Sequence, residues 1–71
     1  MILAIHHMDG RCIAETWFGA EWVTAAPVWI RSVIQLEFEC ARDDIGIHPT
    51  EQDTFCVRGT PVARVSSRSV H

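Results

Sequence analysis

The dipeptide Asp9-Gly10 stands between two runs of strand-forming residues, Ile2-Leu3-Ala4-Ile5-His6-His7-Met8 and Arg11-Cys12-Ile13-Ala14-Glu15-Thr16-Trp17-Phe18. Asp-Gly supplies the backbone dihedrals that a tight hairpin turn demands, so the chain is committed to antiparallel β-structure from its first residues. A second signal of the same kind, Arg58-Gly59, lies between Thr54-Phe55-Cys56-Val57 and Pro61-Val62-Ala63-Arg64-Val65, with the proline confined to a strand start. Valine and isoleucine number seven each against two leucines, the inventory of a strand former. Between the hairpins, Asp43-Asp44 reads as a turn, Ile45-Gly46-Ile47-His48 as a short strand and Pro49-Thr50-Glu51-Gln52-Asp53 as a polar loop.

The segment from Val28 to Arg42 admits two readings. At a period of two, Ile34, Leu36, Phe38 and Cys40 alternate with Gln35, Glu37 and Glu39, as a half-buried strand requires. At helical period, Trp29, Val33, Leu36 and Cys40 form a stripe, but Glu37 then falls within the apolar arc. The strand reading is free of that conflict and leads to an all-β fold, a small antiparallel barrel or sandwich of about five to six short strands built from hairpins. Its rival is α+β, with one helix near 27–42, Pro27 at its first turn, packed on an antiparallel sheet. In either case Glu21-Trp22-Val23-Thr24 reads as a short extended piece, and Ala25-Ala26-Pro27 as an interruption. With 71 residues the chain holds one domain, expected over 1–66, followed by a frayed tail at 67–71.

A domain this short has a marginal core, so self-association as a homodimer is an expectation from size alone. Cys12, Cys40 and Cys56 are an odd number without a CxxC pair, which suits free thiols in a reducing compartment better than a secreted disulfide framework. No apolar run is long enough to span a bilayer and no leader pattern precedes the first strand, so the expectation is a soluble cytoplasmic protein with no membrane partner. The formal charge of −3 argues against non-specific nucleic-acid binding, although Arg58, Arg64 and Arg68 make the last residues locally basic. Lysine, tyrosine and asparagine, which share A/T-rich codons, are all missing, which points to a GC-rich bacterial or phage genome.

No phosphate loop, Gly-x-Ser-x-Gly or His-Glu-x-x-His occurs, and the chain is small for a pocket that encloses a substrate, so no catalytic residue and no cofactor are assigned. His6 and His7 fall on opposite faces of a strand, which leaves zinc, through Cys12 and a distant ligand, as a minor alternative: a zinc-stabilised adaptor. The residues that suit a partner are Trp17, Trp22 and Trp29, which offer large apolar area with few rotamers, and the carboxylates Glu37, Glu39, Asp43 and Asp44. On a strand Glu37 and Glu39 would share a face about 7 Å apart, and with the two aspartates they would form an acidic contact surface.

The opening hairpin, a later alternating strand and the stretch Ala41-Arg42-Asp43-Asp44-Ile45-Gly46-Ile47-His48 resemble the carbon-storage-regulator family of small dimeric RNA-binding translational regulators. Where that family carries arginines after its first and last strands, this chain has His6-His7 and Pro49, so no site residue is carried over. The expectation is a non-catalytic protein that occupies a surface on a larger protein or complex through its tryptophans and carboxylates. An inhibitor of a bacterial defence complex, phage-encoded and of the anti-CRISPR kind, whose acidic face imitates nucleic acid, is the sharper form of it. The alternative is a small dimeric RNA-binding translational regulator that uses Arg58, Arg64 and Arg68.

Overall fold

A computed structural model describes residues 1–69. It contains β1 (Ile2–His7), β2 (Cys12–Trp17), α1 (Trp22–Phe38), a 3₁₀ turn (Arg42–Asp44), β3 (Ile45–Ile47), β4 (Thr54–Val57) and β5 (Thr60–Arg68). The strands form one antiparallel sheet in the order β2-β1-β5-β4-β3, and α1 packs on one of its faces. The architecture is α+β, the second of the two folds the sequence allows, and most of its elements are strands.

Both hairpins form where the turn residues place them. The first closes on Met8-Asp9-Gly10, with the Gly10 N–H donating to the His7 carbonyl at 2.9 Å and Gly10 at φ 96°. The Asp9 carboxylate caps this turn, accepting from the Arg11 backbone N–H at 3.0 Å and from its guanidinium at 2.8 Å. Those two bonds hold the Asp9 carboxyl below the ordinary aspartate value, the backbone bond being the larger cause. The second turn takes positive φ at both central residues, Arg58 at 50° and Gly59 at 83°, the mirror-image geometry that suits the twist of a two-residue hairpin.

The segment over which the two readings diverged is helical from Trp22 to Phe38. Topology supplies the reason. β2 and β3 run in the same direction at opposite edges of the sheet, about 19 Å apart at the usual strand spacing, and a connection between parallel strands has to cross a sheet face. α1 makes that crossing and buries Ala26, Ile30 and Ile34, a stripe at intervals of four residues, against Leu3, Ile5, Ile45, Val57 and Ala63. Burial of this stripe outweighs the weak helix propensity of its many β-branched residues. The helical stripe is therefore one position removed from the Trp29-Val33-Leu36-Cys40 series, and Leu36 is 83% exposed.

Three further expectations change. Glu21-Trp22-Val23-Thr24 is no extended piece: α1 begins at Trp22, with Glu21 as its N-cap. Ala25-Ala26-Pro27 does not interrupt the chain, because Pro27 sits in the second turn of α1 and removes only the bond to the carbonyl of solvent-exposed Val23. Ser67 and Arg68, placed in the tail by the sequence, belong to β5 and pair with Leu3 and Ile2 of the central strand β1. Val70 and His71, the end of that tail, lie outside the described residues.

Candidate interaction surfaces

The alternation of the strands divides the candidate residues between the two sheet faces. Leu3 and Ile5 point to α1, so Ile2, Ala4 and His6 point away from it. The register carries this across the sheet: Trp17, Ile2 and Arg68 form one row on the far face, and Glu15, Ala4 and Ser66 the next. His6, between Cys12 and Arg64, forms the third. A shallow depression of about 260 Å³ lies here, lined by Ala4, His6, Glu15 and Arg68 among others. Trp17, on the edge strand β2, is 63% exposed.

Trp22 and Trp29 lie on one flank of α1, on the side of β2. Trp29 meets Phe18, the residue that follows β2, edge to face at 5.7 Å between ring centroids. Trp22 and Leu36 are exposed further along the same flank. The three tryptophans therefore do not form one patch: Trp17 belongs to the far face of the sheet, and the other two to the helix.

The carboxylates do not form the strand face that the alternation suggests. Glu37 lies in the last turn of α1 and Glu39 just beyond its end, so the two do not alternate along a strand. Glu37 accepts a hydrogen bond at 3.0 Å from the His7 ring, which also packs against Phe38 at 5.5 Å. Glu39 ends the helix in the left-handed conformation at φ 49°. Asp44 is engaged twice, by the Arg58 guanidinium at 3.0 Å and by the Ala41 backbone N–H at 3.1 Å. Of these four carboxylates, that leaves Glu39 and Asp43 exposed and without an ion pair.

The arginines are dispersed in the same way. Arg58 is in the second turn with Asp44, whereas Arg64 and Arg68 stand on the far face of β5, Arg68 at 3.6 Å from Glu15. Among the described residues no three histidine, cysteine or carboxylate side chains converge as a metal ion would need. Cys12 is exposed, Cys40 half-buried and Cys56 buried, and all three are free. His48 lines a depression of about 400 Å³ beside β3, together with Asp43, Asp44 and Cys56. Its Nδ1 is already occupied, accepting at 3.2 Å from the backbone N–H groups of Thr50 and Glu51. That bonding fixes His48 as a brace of the loop before β4.

The feature that sequence reasoning missed is the flank of α1 taken as a whole. Trp22, Ala25, Trp29, Ser32 and Leu36 follow one another at alternating intervals of three and four residues, and none carries a charge. The signal was present in the sequence, but it appears only once α1 starts at Trp22 instead of near Pro27.

These features define a small α+β domain with one helix crossing an antiparallel five-stranded sheet. No protein-family model, curated protein or solved structure matches the chain. No helix among the described residues is long and apolar enough to cross a membrane.

Proposed function

We propose that this chain is a non-catalytic binding protein that acts by protein–protein contact, through the flank of α1 that carries Trp22, Trp29 and Leu36. The observation that carries the reading is the uncharged apolar seam itself, with Leu36 83% exposed, beside a six-residue edge strand. Aromatic anchors with few rotamers, on a surface that is inexpensive to desolvate, are what protein interfaces select. The sharper form, an anti-CRISPR-like decoy with an acidic face, rests on Glu39 and Asp43, since Glu37 and Asp44 have partners within the chain.

The test is capture of partners by the tagged chain from a bacterial lysate, with and without nuclease, beside the Leu36→Glu variant. A stoichiometric protein that survives nuclease and is lost from the variant supports the reading. Capture unaffected by Leu36→Glu overturns it.

A second reading, single-stranded RNA binding, draws on the far face of the sheet, where Trp17 lies in one row with Arg68 and where Arg64 also points. An exposed aromatic ring with nearby guanidinium groups suits base stacking and phosphate contact. Recovery that disappears with nuclease, and RNA affinity that falls with salt and with the Arg64→Glu and Arg68→Glu variants, would favour it over protein contact.

A further inference from the structure

We infer that the flank of α1 and the free edge of β2 together form one interface, and that its occupant is a second copy of this chain. The inference rests on the protein-binding reading of that flank and names its partner.

The two edges of the sheet are unlike. β3 has three residues, one of them Gly46, and Pro49 soon follows, so it offers little backbone to pair. β2 has six residues and contains no proline, glycine or lysine. Edge strands are ordinarily kept from pairing by shortness, proline, charged side chains or a bulge; β3 is short throughout, whereas β2, despite Glu15 and the bulge at its start, keeps a regular stretch from Ala14 to Trp17.

The backbone of β2 also fixes which groups are available. Phe18 donates its N–H to the Met1 carbonyl at 2.8 Å, and the Met1 amino group donates to the Phe18 carbonyl at 3.0 Å. In an antiparallel ladder both backbone groups of a residue point to the same side, and the side alternates along the chain. Ala14 and Thr16 therefore turn their groups toward β1, whereas Glu15 and Trp17 turn theirs to the open edge. Ile13 is the extra residue of the bulge between the Ile5–Ala14 and His6–Cys12 pairs, so regular pairing stops there.

Two identical strands can satisfy these groups about a two-fold axis perpendicular to the sheet. With the axis at Thr16, Glu15 of each copy exchanges both backbone bonds with Trp17 of the other, and the two threonines face each other. With the axis at Glu15 the carboxylates would be directly opposed, which costs stability, and with the axis at Ala14 the bulged Ile13 would have to pair. The Thr16 register makes one ten-stranded sheet with both helices on the same face, flank toward flank. A surface that meets its own copy brings like charges together, so the uncharged seam from Trp22 to Leu36 is the composition such an interface needs.

The dimensions set a lower bound on the area. The 17 residues of α1 run about 25 Å at 1.5 Å per residue. With the edge of the sheet about 10 Å below the helix axis and side chains on both, the side wall is roughly 25 by 20 Å. That is about 500 Å² before surface relief is counted, against the about 600 Å² per partner at which stable interfaces begin.

The test is sedimentation equilibrium of the full chain from micromolar to millimolar concentration, where twice the 8.0 kDa monomer mass is expected. Leu36→Glu and Trp22→Glu, both at exposed positions, should weaken the dimer by at least roughly tenfold. Arg31→Glu, roughly half a turn round the helix from Trp22, Trp29 and Leu36, should leave it unchanged. T16C should form an intermolecular disulfide under mild oxidation, mapped by mass spectrometry. A chain that remains at the monomer mass throughout, or a Leu36→Glu dimer as tight as wild type, overturns the inference; an intact dimer without the T16C cross-link overturns the register. A monomer that still captures a protein from lysate, and loses it in Leu36→Glu, overturns the self-association and leaves the protein-binding reading standing. A monomer whose capture ignores Leu36→Glu overturns both.

Discussion

Replacing Ile34 with alanine removes three carbons from a side chain with no solvent exposure, at the centre of the contact between α1 and the sheet. At about 0.8 kcal/mol per buried methylene the transfer cost is about 2.4 kcal/mol. The cavity adds to it and the better helix propensity of alanine subtracts about 0.4 kcal/mol, which gives a loss of about 3 kcal/mol. A single core in a chain this short supplies about 3 to 5 kcal/mol in all, so Ile34→Ala should retain only about 0 to 2 kcal/mol and populate the unfolded state measurably. Ile34→Val, which removes one methylene, gives the graded reading: a loss of about 1 kcal/mol, or a fall in melting temperature of about 4 to 8 °C. Urea unfolding followed by circular dichroism and tryptophan fluorescence, at one protein concentration for all variants, measures both. A loss below about 1 kcal/mol for Ile34→Ala would refute the placement of Ile34 in the core and with it the position of the helix.

Glu39→Gly should stabilise the chain by about 0.5 to 1 kcal/mol, because glycine accepts the left-handed conformation at φ 49° that ends α1; urea unfolding detects it. His7→Ala should cost about 1 kcal/mol through loss of the bond to Glu37 and the contact with Phe38, and combining it with Glu37→Ala should add much less than the sum of the two single losses. Asp9 should titrate below 3.8 in an NMR pH series, and Arg11→Ala should return it toward that value. The sign follows from the depressed folded-state value: the support Asp9 gives the first turn is complete above the unfolded aspartate value and is lost as pH falls through the lower folded one.

Much of the fold was legible because turns carry their geometry in a few residues. Asp9-Gly10 and Arg58-Gly59 located both hairpins, and the short strand at Ile45–Ile47 followed from the loop residues around it. What was not legible depends on contacts between distant segments. Ser67 and Arg68 look like tail composition, and only β1 beside them makes them strand. The helix start was hidden by Pro27, whose cost is small where the carbonyl it leaves unbonded belongs to an exposed first turn. The candidate site was less legible for the same reason. Trp22 and Trp29 are visible as aromatics, but their shared flank exists only when α1 begins five residues before the proline.

Glu37 is the residue on which the strand and helix readings turned, and its place in the structure explains why pattern alone could mislead. A charge within an apolar arc counts against a helix only if that position faces a dry core along its whole length. At the last turn of α1 the arc has passed beyond Ile5 and meets the end of β1, where His7 stands 21% exposed with a ring nitrogen 3.0 Å from the carboxylate. The sheet therefore offers a polar partner at the one helical position that carries a carboxylate, and Phe38 closes over the same ring from the next position. Periodicity weighs each residue by type and cannot register a partner thirty positions away. The same limit bears on the seam of α1: Trp22 and Leu36 are exposed and Trp29 is half-buried against Phe18, and the pattern of residue types alone does not register which surface such side chains meet.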